Sequence, residues 1–113
     1  MRQRDTEVHG GPNVAGDLLE MWAVDIDWVT TANSSVTAIS SIDVADFSSE
    51  LCGLVSFSCM QQPGTGVRLD PLREVIMNRL QYIHHADDGF ETLMGNFVVD
   101  VSGTDQGGIR WFE

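Results

Sequence analysis

The sequence predicts an all-β fold built from antiparallel strands. Three observations carry that reading: a strict alternation over residues 20–28, a Pro-Gly turn at 63–64, and two β-branched or aromatic runs flanking the Gly-rich stretch 102–108. The 113 residues leave room for one small domain or part of a larger one.

Residues 1–17 are polar, with a turn cluster at 9–13, and read as an N-terminal loop or frayed end. In the run 20–28, Trp22, Val24, Ile26 and Trp28 alternate with Ala23, Asp25 and Asp27, the pattern of a half-buried strand. A polar turn at 30–35 follows. Residues 36–47 are β-branched but alternate imperfectly, which fits one strand or two short ones. Loops are expected at 48–53 and 61–66.

Residues 69–85 admit two readings. Asp70-Pro71 resembles a helix cap with proline in the first turn, and Leu72, Ile76, Leu80 and Ile83 recur at helical spacing. Periodicity therefore favours a helix near 71–83 and a small α+β domain. The strand reading places Ile76, Leu80 and Tyr82 on one face, with Asn78 interrupting. Beyond it, 92–101 and 109–113 around the Gly-rich turn form a β-hairpin. The last strand runs to Glu113 with no turn after it, so a truncated sheet is expected.

Charge narrows the function classes. Seventeen acidic residues against six arginines and no lysine give a net charge of −11. Nucleic acid and anionic membrane surfaces both demand a basic face, so neither is an expected partner. No apolar run approaches a membrane span, and no signal peptide is visible at the start.

Candidate chemistry is sparse. Asp25 and Asp27, on the polar face of one strand, would sit about 7 Å apart, a separation compatible with glycoside hydrolysis and equally with a solvated acidic face. Asp100, Ser102, Thr104 and Asp105 place oxygens at nearly alternate positions, as hard-cation loops do. The closing Glu of such loops is missing, so a plain Gly-rich turn is the better reading. His84 and His85 beside Asp87 and Asp88 fit a solvated loop, because adjacent strand residues point to opposite faces. No phosphate loop or nucleophilic triad is present. No cofactor is expected, and the chain alone reads as non-enzymatic.

The runs Leu51-Cys52-Gly53, Ser58-Cys59-Met60-Gln61-Gln62-Pro63-Gly64-Thr65, Leu69-Asp70-Pro71-Leu72, Met77 to Tyr82, Glu91 to Phe97 and, above all, Asp100 to Glu113 resemble secreted bacterial β-propeller proteins of sialidase-like architecture. The loop 83–90 departs from that pattern, which has an aromatic and a His before the Glu. The resemblance spans about residues 17–113. It implies a partial propeller over 18–113, one blade with parts of its neighbours, behind the loop 1–17. It also implies that 75–82 is a blade strand despite the helical periodicity. Asp105 and Gly107 match a sialidase Asp box, although Gly103 holds its Ser/Thr position and Trp111 falls one residue late.

Secreted relatives further imply a Cys52–Cys59 disulfide, the alternative being two buried thiols. The implied location is extracellular or periplasmic. The implied partners are the neighbouring blades and a glycan or protein ligand. The function so implied is a scaffold or binding segment, or else part of a carbohydrate-processing hydrolase with Asp25 and Asp27 near its site.

Overall fold

The computed structural model describes residues 1–9 and 16–113. Most of the expected turn cluster at 9–13 lies outside the described residues. The chain divides into two compact units, Met1–Asp46 and Phe47–Glu113, each with one three-stranded antiparallel sheet. The mostly β content agrees with the predicted class. The boundary between the units falls at 46/47.

In the first unit the sheet order is β1 (Arg2–Arg4), β2 (Asp17–Asp25), β3 (Ser35–Val44). The N-terminal stretch is therefore not simply a loop. Arg2, Gln3 and Arg4 pair with Glu20, Leu19 and Leu18, and a single helical turn, α1 (Thr6–His9), follows. Its arginines also find a partner: Arg2 Nε lies 3.1 Å from Glu20 Oε2 and Arg4 Nη1 lies 3.2 Å from Glu20 Oε1. Arg2 is half exposed, and Arg4 and Glu20 are mostly covered; such pairs at the surface contribute about 1 kcal/mol or less each, so backbone pairing carries most of the attachment.

β1 covers only residues 18–20 of β2, so the rest of β2 pairs with β3 alone as a two-stranded ribbon. Ile39 is the extra residue of a bulge there, since Met21 faces Ser40 while Trp22 faces Ala38. The alternating strand is real but ends at Asp25, and its apolar face is open. Trp22 is 40% and Trp28 83% exposed, with Val24, Ile26, Val36 and Ile39 exposed beside them.

The second unit orders β4 (Met77–His84), β5 (Glu91–Asp100), β6 (Gly107–Phe112). No helix forms over 71–83. Asp70 Oδ1 does accept the Leu72 N–H at 2.9 Å, but the chain then turns left-handed at Leu72 (φ 48°) and Glu74 (φ 66°). Two such residues forbid a right-handed helix. The strand that replaces it breaks register between Met77 and Gln81, where Asn78 adopts φ 59°. The residue that interrupts the alternation in the sequence is the one that interrupts the ladder.

β5 is the central strand and is buried on both faces. Phe97 packs against Phe47 and Phe112, with ring centroids 4.8 and 6.3 Å apart. From the other face Val98 joins Leu51 and Cys52, with Cys59, Met60 and Met77 at the margin. Burying each large side chain contributes about 1.5–3 kcal/mol. Gly95 lies opposite Phe112, and a Cβ there would fall 2.5 Å from the ring and 3.0 Å from Leu80. The predicted hairpin is present, with Asp100 facing Gly107. So is the Pro63-Gly64 turn, where Gly64 has φ 75° and Met60 and Leu69 bridge its base.

Cys52 and Cys59 are disulfide-bonded, with Cα atoms 5.6 Å apart. The bridge closes a loop whose first turn is left-handed at Cys52, Gly53 and Leu54 (φ 58°, 58° and 59°). The two non-glycine residues cost about 1–2 kcal/mol each in that conformation.

Two outcomes follow from this packing. Gly95→Ala lowers stability by about 1–3 kcal/mol through overpacking at Phe112, read as a fall in the urea midpoint at constant slope. Reduction of the disulfide adds two hydrogens to the intact mass and removes about 2–3 kcal/mol. Two thiols titrating in the oxidised, folded chain would contradict the bridge.

Candidate functional site

Aspartate is the residue that organises the loops. In the β2–β3 connection Asp27 Oδ1 accepts the N–H groups of Val29 at 2.9 Å and Thr30 at 2.8 Å, and Oδ2 accepts Asn33 Nδ2 at 3.1 Å. The Asp27 N–H donates to Ser34 Oγ at 3.1 Å. Thr30 and Val29, then Asn33, hold the Asp27 carboxyl below its ordinary value of 3.8.

Asp25 ends β2 opposite Ser35 and is exposed, whereas Asp27 has left the strand and turned into its own loop. Asp25 thus lies on the strand and Asp27 beyond its end, with its carboxylate held by its own loop. A glycosidase acid needs a raised pKa, and the hydrogen bonds on Asp27 act in the opposite sense.

The β5–β6 connection repeats the device. Asp100 Oδ1 accepts the N–H of Ser102 at 2.9 Å and of Gly103 at 3.0 Å, and Oδ2 accepts that of Asp105 at 3.2 Å. Ser102 Oγ in turn lies 2.8 Å from Thr104 Oγ1. Partial burial by itself raises the Asp100 pKa. The N–H groups of Ser102, Asp105 and Gly103, with the Ser102 hydroxyl, outweigh it and leave the carboxyl below 3.8.

Asp105, left-handed at φ 62°, sends Oδ1 to the Cys52 N–H at 2.5 Å. The Asp100 N–H donates to the Ser48 carbonyl at 2.7 Å. The four residues read as a candidate cation loop are thus brought together, with Asp100 holding the loop's own backbone, Ser102 and Thr104 bonded to each other, and Asp105 bonded to Cys52. A depression of about 310 Å³ lies beside them, edged by Ser48, Glu50 and Gly53.

His84 and His85 are exposed at the end of β4, Asp87 and Asp88 are exposed in the turn that follows, and His85 rests against Phe90 with ring centroids 5.6 Å apart.

One cluster is absent from the sequence reading. Asp5, Glu7 and Asp17 gather within the first unit, each with an oxygen within 4.8 Å of the others. Only the β1–β2 pairing brings Asp17 back to Asp5, and a polar stretch read as loop gives no sign of it. Asp5 caps α1, its Oδ1 accepting the Val8 N–H at 3.1 Å.

Comparison with protein-family models, curated proteins and solved structures finds no match to this chain.

The carboxylates give stability a definite acid dependence. Asp27 and Asp100 have depressed folded values, so their contribution is complete above 3.8 and is lost as pH falls through those lowered values. The urea midpoint is therefore expected to hold from pH 7 to about pH 5 and to drop below about pH 4. Asp100→Asn removes about 1–3 kcal/mol at neutral pH and flattens that drop.

Proposed function

We propose that this chain is a non-catalytic scaffold and binding segment of a secreted β-propeller protein of sialidase-like architecture. One observation carries the reading, the open ribbon of β2 and β3. Every residue of β3 except Val44 is exposed, and β2 is exposed from Trp22 onward. Two-stranded hairpins are marginal by themselves, and this one displays Trp22, Val24, Val36 and Ile39. A ribbon of that composition is stabilised when another sheet or a ligand covers it. Adjacent blades supply such cover in a propeller, where sheets pack face to face.

Both sheets are antiparallel and three-stranded, one strand short of a four-stranded blade, so the reading assigns the missing strands to the remainder of the propeller. The disulfide suits an oxidising compartment. Among the described residues no helix is long and apolar enough to cross a membrane.

Exposed apolar area favours association, and the −11 charge opposes it by repulsion that salt screens within about 10 Å at 0.1 M. Sedimentation is expected to show more dimer or aggregate at moderate than at low ionic strength. Replacing Trp22 and Trp28 by Ser should suppress it. A compact monomer, insensitive to salt and unfolding cooperatively, would overturn the proposal.

A further inference from the structure

The first unit buries charge where apolar side chains would be expected. Asp5 is 1% and Asp17 0% exposed, and Glu7 closes their cluster from the exposed side. Asp17 Oδ1 receives the Thr6 N–H at 2.8 Å and Asp5 Oδ1 the Val8 N–H at 3.1 Å. Those bonds fix one oxygen of each carboxylate on α1. Asp5, Glu7 and Asp17 each place an oxygen within 4.8 Å of the others there.

A second, independent observation lies beside them. Gln3 is 2% exposed, yet neither its amide nitrogen nor its amide oxygen has a hydrogen-bond partner. Leaving such a group unsatisfied is costly, and native interiors rarely do so. Register shows where the side chain lies. Gln3 faces Leu19 across the β1–β2 ladder, and alternation puts Asp17, two residues before Leu19, on the same side. Continued one step beyond β1, the same alternation brings Asp5 onto the face of Gln3. An unpartnered amide oxygen on the face of two buried carboxylates is an arrangement a cation satisfies.

We infer that Gln3, Asp5, Glu7 and Asp17 form a binding site for a hard divalent cation, and that the ion is calcium. The donors are all oxygen, which selects calcium, magnesium or manganese over zinc and copper. Ligands of one calcium ion at 2.3–2.6 Å lie at most about 5 Å apart, so the 4.8 Å spread falls wholly within its reach. Magnesium, at 2.0–2.1 Å, spans only about 4.2 Å and demands a stricter octahedron. Bound there, the ion joins β1 and α1 to the start of β2, and its binding energy adds to folding. The site is separate from the oxygen-rich loop at 100–105.

The test is calorimetric titration of calcium chloride into the full, oxidised chain stripped with EGTA, with thermal unfolding in parallel. The expected result is one ion bound per chain, a rise in Tm, and weaker binding of magnesium chloride. Glu7→Gln, at the exposed side, should weaken calcium at least about tenfold without lowering the Tm of the metal-free chain. Gln3→Met should weaken it comparably while holding or raising that Tm, because it removes an unsatisfied amide. A purely structural Gln3 would show only the second effect. The control Ser102→Ala, in the other loop, should bind as the parent does. Absence of heat and of any Tm shift up to about 10 mM calcium overturns the proposal. So does unaltered binding by both Glu7→Gln and Gln3→Met, or loss of binding in Ser102→Ala.

Discussion

The structure depends on backbone N–H groups in its loops finding acceptors, and aspartate supplies them. Asp5, Asp17, Asp27, Asp70, Asp88, Asp100 and Asp105 each accept at least one N–H from a turn or a neighbouring loop. A carboxylate is the strongest such acceptor among side chains, because its charge shortens and strengthens the bond. Where a single Asp takes two or three donors, as at 27 and 100, the connection is fixed without apolar packing. The acidic composition is therefore partly an internal matter. Much of what looks in the sequence like a charged surface is spent on holding turns.

This explains which features were legible and which were not. The hairpin of β5 and β6 was legible because β-branched runs and a Gly-rich turn are local signals. The strand β2 was legible from its alternation, but its burial was not: alternation says which side chains share a face, not whether anything covers it. At 71–83 the apolar spacing is helical, and only left-handed Leu72 and Glu74 and the ladder to β5 decide against it. The resemblance to propeller strands reached that answer where periodicity did not. Asn78 was readable as an interruption, although its left-handed backbone was not.

The candidate residues followed the same division. Asp100, Ser102, Thr104 and Asp105 lie in one connection, since a short loop keeps sequence neighbours together. Asp25 and Asp27 fall on either side of the end of β2, which stops three residues short of where the alternation ran. The cluster of Asp5, Glu7 and Asp17 was invisible, because the polar strand Arg2–Arg4 has no hydrophobic pattern and forms only by pairing with β2. Long-range pairing of polar segments is where sequence reading has least purchase.

The two units are held by different means, and the difference bears on function. The second is ordinary in its energetics: a central strand buried on both faces, an aromatic cluster around Phe97, and a disulfide that restrains the loop carrying Leu51. The first has few buried apolar side chains, Leu18 and Leu19 among them, and its interior includes Gln3, Asp5 and Asp17. A small polar interior leaves little of the apolar burial that ordinarily offsets chain entropy. Its apolar residues lie instead on the ribbon, where covering them would provide that burial. On the proposed function, stability and recognition are coupled in the first unit: a neighbour that covers the ribbon would also add to its buried apolar area. Ordering on contact costs affinity but makes the contact conditional on a well-matched partner.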